Sequence, residues 1–166
     1  TRLAAIDSTG NALAWDAQIL GVYVLALNVS NGCLYVGGNF WSIAGQARAH
    51  LAALDLTTVT PLTWQPDPSF EVRGVWHDAT SGSAVVSGDF STFGGTAISR
   101  NHAAAIDVDP VSATYGQATA WDPDCDAWVY AVAVDEASGT VYLGGSFTTV
   151  QGQARNRLAA IDAAGN

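Results

Sequence analysis

Short apolar runs broken by turn residues fill this chain, and none sustains the 3.6-residue period of an amphipathic helix. The pattern is clearest toward the C-terminus. WVYAVAV (128–134) is almost continuously apolar, as expected of a strand covered on both faces. DEASG then turns into TVYLGGSF (140–147), and a polar loop gives way to RNRLAAID, ending at Asp162. A fourth strand is expected to run into a tryptophan, as NALAW (11–15) and QATAW (117–121) do. The expectation is an all-β chain of short strands with essentially no helix.

That unit recurs. LAAID ends at Asp7, LAALD at Asp55, AAAID at Asp107 and LAAID again at Asp162, with steps of 48, 52 and 55 residues. LYVGGNF (34–40), AVVSGDF (84–90) and VYLGGSF (141–147) precede the three later copies and place Gly38, Gly88 and Gly145 inside second strands. Trp15, Trp64 and Trp121 form a third series, and loops ending at Arg48, Arg100 and Arg155 a fourth. Four markers in one order, three times, define a repeat of about fifty residues. Four-stranded units repeated radially are the blades of a β-propeller, whereas a β-sandwich would not demand markers at this period. The aspartates suit the turn closing each third strand, where a short side chain bonds its own backbone. Glycine weakens a strand, so its recurrence implies that a bulky group approaches there, and the repeated tryptophan is the expected one.

The arrangement W-x-P, then VYVGGSF, a glycine-containing loop to arginine, then LAALD resembles kelch repeats. It is closer to the Delta-60 type repeats of bacterial secreted and surface propellers, and the resemblance covers the whole chain. It implies the fold, and an extracellular scaffold or binding module without an assigned role. The second unit departs most: Ser87 stands where Gly37 and Gly144 stand elsewhere, and Ile98 and Ser99 are inserted before Arg100. The expected partition is the end of a preceding blade in 1–15, blades in 16–64 and 65–121, and a blade lacking its last strand in 122–166.

Residues 2–11 and 157–166 agree at eight of ten positions. Three wedges are too few to encircle an axis, and open strand edges recruit partners. The expected partners are copies of this chain or further blades of the same chain, giving a closed ring, a filament or a longer propeller.

Composition narrows the classes. With 49% hydrophobic and 13% charged residues the chain is not intrinsically disordered. GVYVLAL (21–27) and similar runs reach about half the roughly 20 residues of a membrane helix, so no insertion is expected. Fifteen acidic residues face six arginines and no lysine, for a formal charge of −9, which argues against nucleic acid and anionic membranes. The composition points to an extracellular or cell-surface protein, and Asn28-Val29-Ser30 is a glycosylation sequon. Cys33 and Cys125 are too few for a disulfide framework and are expected at opposite ends of their blades, without an intrachain bond. A bond between copies stays open.

Several residues invite a site. Asp122, Asp124 and Asp126 in WDPDCDAW offer the D-x-D-x-D start of a calcium loop, although Ala127 and Ala133 stand where its glycine and bidentate glutamate belong. An irregular calcium site and a solvated interblade turn are the two readings, and the missing ligands favour the turn. No other cofactor is expected. Arg48, Arg100 and Arg155 are read as structural clamps on loop carbonyls or on an aspartate of the adjacent blade. His50 and His102 share the slot of Arg2 and Arg157 at the start of third strands, where successive blades diverge, so they do not converge on a metal. His77 ends an inner strand beside Trp76, with Leu27 and Val134 as expected counterparts, and could face the central channel. Trp41, Trp76, Phe93 and Trp128 break the repeat and could form an aromatic surface for sugars, or could be packing residues. The chain carries no phosphate loop, Cys-x-x-Cys pair or nucleophile elbow. The reading is a non-enzymatic extracellular scaffold that self-associates or binds protein or glycan. The alternative is the propeller portion of a secreted enzyme or lectin whose functional residues lie outside this chain.

Overall fold

The computed structural model describes residues 2–77, 81–95, 97–162 and 165, and contains no helix among them. The first sheet holds β1 (Leu20–Ser30), β2 (Cys33–Ile43), β3 (Gln46–Ala47) and β4 (Leu51–Asp55), with β2 paired to the other three. The second blade comprises β5 (Val72–Trp76) and β6 (Ser83–Gly88), then a small hairpin of β7 (Thr92–Phe93) and β8 (Ile98–Ser99) that forms a sheet of its own, then β9 (Ala103–Asp107), which pairs with β6. The third repeats this with β10 (Val129–Asp135), β11 (Thr140–Gly145), the hairpin β12 (Thr149–Val150) and β13 (Gln153–Ala154), and β14 (Leu158–Ile161). All pairings are antiparallel, and the sheets form an arc of propeller blades that does not close into a ring.

Two expectations about strands are revised. The fourth strand is reduced to one bridge per unit, Ile6 with Ala12, Leu54 with Pro61, and Ile106 with Ala118. In the first blade Pro61 has no N–H to donate, and the chain leaves the sheet so that Trp64 can reach the next one. The polar loop before each arginine, conversely, contains a hairpin. In the first and third blades its two central residues both take positive φ, Ala44 and Gly45, Gln151 and Gly152, as a type I′ turn requires, whereas the second blade has four residues between Phe93 and Ile98.

The glycine expectation also changes. A Cβ on Gly38, Gly88 or Gly145 would overlap the carbonyl oxygen of Tyr23, Glu71 or Trp128 respectively, the first within the blade's own inner strand and the other two just before it. The inner strand bulges there, and the backbone itself fills the space assigned to tryptophan. The tryptophans staple one blade to the next instead. Trp64 Nε1 donates to Asp107 O at 2.8 Å and Trp121 Nε1 to Asp162 O at 3.2 Å. Trp15 packs against the first blade's core of Leu34, Val36 and Leu54.

The repeated aspartates do close the turns. Asp55 Oδ1 accepts from the Thr57 and Thr58 amides, and Asp107 from the Asp109 amide and the Ser112 and Thr114 hydroxyls. Arg48 holds the outgoing fourth segment through Leu62 O at 2.8 Å, and Arg100 does so through Thr119 O while pairing with Asp122 at 3.5 Å. Arg155 donates to Ala154 O at 2.9 Å.

Three apolar clusters lie on the blade faces: one around Leu34, Val36 and Leu54, one between the first two sheets, one between the last two. Only the second sheet has a neighbour on either side. Accordingly β10, read as covered on both faces, exposes Ala131 and Ala133.

Candidate functional site

The inner strands of the three blades start side by side, β1 against β5 and β5 against β10. Their bulges bring Tyr23, Glu71 and Trp128 over the second glycines, followed two residues on by Leu25, Arg73 and Tyr130. Asn39, Asp89 and Ser146 come just after those glycines. These nine positions differ from blade to blade, while the glycines, tryptophans and aspartates that build the fold recur.

Tyr23, Asn39, Glu71, Arg73, Asp89, Trp128 and Tyr130 form one connected cluster. The Glu71 carboxylate is only 2% exposed. Its Oε2 accepts from the Tyr23 hydroxyl at 2.7 Å and from Asn39 Nδ2 at 3.2 Å, both on the first blade. It also pairs with Arg73, whose Nε and Nη2 grip Asp89 at 2.7 and 3.0 Å. The Arg73 guanidinium lies 5.5 Å over the ring of Tyr130 on the third blade, and Trp128 stands 6.5 Å from Tyr130. The hydrogen bond to Glu71, with some burial, raises the Tyr23 hydroxyl pKa, and that to Asp89 raises Arg73's. A buried carboxylate is retained because three donors surround it. The outcome is a guanidinium fixed in place beside two exposed aromatic rings.

Of the aromatic candidates, only Trp128 belongs to this cluster. Trp76 lines a separate cavity of about 450 Å³ between the second and third sheets, with Trp121, Ser83 and Glu136. Trp41 is exposed on β2, and no ring contact joins it to the described residues. Phe93 is no ligand surface: it is buried against Phe90, at 4.7 Å between ring centres, in the hairpin position of Ile43 and Val150. His77 does not line a channel. It is buried with its ring 5.0 Å from that of Tyr35 on the preceding blade, and strand register gives it Val29, not Leu27, as counterpart.

The acidic triplet is not a calcium loop, and its three carboxylates serve different partners. Asp122 pairs with Arg100, and Asp124 accepts from Asn101 Nδ2 at 2.8 Å. Asp126 accepts from the Thr148 amide at 2.8 Å and hydroxyl at 2.6 Å, and from the Thr149 amide at 2.9 Å. No group of three metal-ligating side chains occurs among the described residues. His50, His102 and Arg157 share one backbone state, with φ of 63°, 65° and 67°, which explains their common slot. Cys33 and Cys125 are free thiols.

Glu71, Arg73, Asp89, Tyr23 and Tyr130 were not singled out from sequence. A signal existed: FEVRGV puts two charges into an inner strand whose counterparts, YVLA and WVYA, have none.

Residues 136–166 match a family model described as a domain of unknown function (DUF5122) beta-propeller. No curated protein matches the chain. The matched stretch holds the second and third strands of the third sheet and the hairpin between them, and the match does not single out the kelch or Delta-60 type. Fold and match agree that the chain is a run of β-propeller blades similar to a family without an assigned role.

Proposed function

We propose that this run of blades is a non-enzymatic scaffold of the cell surface or extracellular space that binds further blades of its own kind through its two open faces. One observation carries this reading. Ala26, Tyr35, Leu51 and Ala53 of the first blade are buried beneath the second, Leu51 to 1% exposure. The third blade carries the same four residues in the same register, Ala131, Tyr142, Leu158 and Ala160, and there all four are exposed, Leu158 at 68%. That face has the chemistry of an interblade contact. At the other end, Leu25, Leu27 and Val29 are exposed on β1, whereas Val75 and His77, in the slots of Leu27 and Val29 on the second blade, are buried.

Head-to-tail contact between two copies would bring residues 2–7 of one and 157–162 of the other to the same place. Both read RLAAID, so one can replace the other with no change of contacts. The acidic, lysine-free surface supports the extracellular assignment.

Light scattering after size exclusion tests the reading over a range of concentrations. The expected result is a mass that rises with concentration and falls back in Leu158→Asp, with Val111→Asp, solvent-facing and on the loop after β9, as control. A monomer of 17.2 kDa at every concentration overturns it.

A further inference from the structure

The blade faces do not explain the inner-strand cluster, whose Trp128 and Tyr130 are exposed beside a buried ion network. We infer that Trp128, Tyr130 and the Arg73–Asp89 pair form a binding site for a neutral saccharide. This places ligand recognition inside the chain and goes beyond the scaffold reading.

Physical complementarity selects the ligand class. Trp128 and Tyr130 are 49% and 46% exposed and adjoin each other, 6.5 Å between ring centres, as a contiguous aromatic patch. Their faces suit the C–H side of a pyranose ring, and the polar tips of such rings tolerate water at the rim. Beside them, the Asp89 side chain is 5% exposed, and both its oxygens hold Arg73 in place. Arg73 supplies donors, since its Nη1 makes no hydrogen bond to the described residues while Nε and Nη2 are committed. Guanidinium donors beside aromatic faces match the hydroxyl oxygens of a sugar ring.

Charge excludes the other small-molecule classes. Two carboxylates, Glu71 and Asp89, outnumber one guanidinium, and the chain carries −9 overall, so an anion is repelled. A cation meets carboxylates already engaged by Arg73, Tyr23 and Asn39, and a fixed positive charge over Tyr130. A folded protein partner would use similar residues, but a stable interface needs about 800 Å² per side, and two rings with one guanidinium offer far less. Preorganisation completes the case. Arg73 is held from two sides before any ligand arrives, so binding orders little that is not already ordered.

The test is titration of the full chain with cellobiose, maltose, lactose and diacetylchitobiose, followed by tryptophan fluorescence and by calorimetry. At least one is expected to bind saturably at one site per chain. Trp128→Ala and Tyr130→Ala should each weaken binding about tenfold or more. Arg73→Lys, which keeps the charge but loses the two-pronged grip on Asp89, should weaken it too, while Trp41→Ala leaves it unchanged. Circular dichroism confirms that each variant is folded. Absence of binding across the panel, binding that survives the Trp128 and Tyr130 changes, or capture of an acidic or basic peptide at this cluster instead would overturn the inference. Performed on the monomeric fraction, the experiment is independent of self-association, so its failure leaves the scaffold reading standing.

Discussion

Gly144 and Gly145 are neighbours in one motif but face different surroundings. A methyl group on Gly145 would meet the Trp128 carbonyl and the Val129 Cα, both backbone, whereas one on Gly144 finds its nearest atom, Arg157 O, at 4.0 Å. Gly145→Ala is therefore expected to cost about 2–3 kcal/mol, the range of forced overpacking. Gly144→Ala should be within about 0.5 kcal/mol of neutral or slightly stabilising, since alanine loses less entropy than glycine in a strand. Urea denaturation midpoints check both, and equal losses would refute the distinction. The second blade already does without the first glycine, for Ser87 is fully buried in that slot. Sequence showed the glycine pair but not the asymmetry, because an inner-strand bulge leaves no mark on composition. The same limit concealed the Arg73 cluster: a repeat draws attention to what recurs, and these residues are informative because they do not.

At the level of elements, turns and short pairings carry the stability that a small number of long strands cannot. Asp126 fastens the segment before β10 to β12, where Cys125 also bridges Val150. The Thr148 hydroxyl and the Thr149 and Thr148 amides hold its carboxyl down to about 2, against an ordinary value of 3.8. The unfolded chain therefore binds this proton more readily in the interval between. The contribution is complete above about pH 4 and disappears as pH falls toward 2. Asp126→Asn should flatten the pH dependence of unfolding in that window without abolishing it, because Asp7, Asp55 and Asp135 are lowered by similar turn bonds. Superimposable profiles for the two proteins, measured by urea unfolding between pH 2 and 5, would refute the assignment. Sequence recognised an acidic loop and favoured a turn over a calcium site, but did not supply the partners of its carboxylates. Amides and hydroxyls from the hairpin, a segment read as plain loop, stand where a cation was considered. Two of the small hairpins were legible in principle, since a glycine ends the two-residue turns at Ala44–Gly45 and Gln151–Gly152.

For the molecule as a whole, the order of blades sets a gradient of stability. β5, β6 and β9 of the middle blade are covered from both sides, and Val72, Ala84, Val86, Ala104 and Ile106 are wholly buried. β1 and β10 are covered on one side only and leave Leu25, Leu27, Val29, Ala131 and Ala133 to water. Local opening costs most where most apolar surface is lost, so amide hydrogen exchange in dilute solution should be slowest in 83–88 and 103–107 and faster in 20–30 and 129–135. Raising the protein concentration adds the second half of the argument. If the end faces pair with each other, protection must increase at β1, β10, β11 and β14 and stay constant in the middle blade, because binding stabilises only the elements that it covers. Uniform change across all three blades would mean global stabilisation and not blade-to-blade docking. No change at any concentration would remove the basis for a scaffold that builds on itself, and would leave the terminal faces as ordinary exposed sheet.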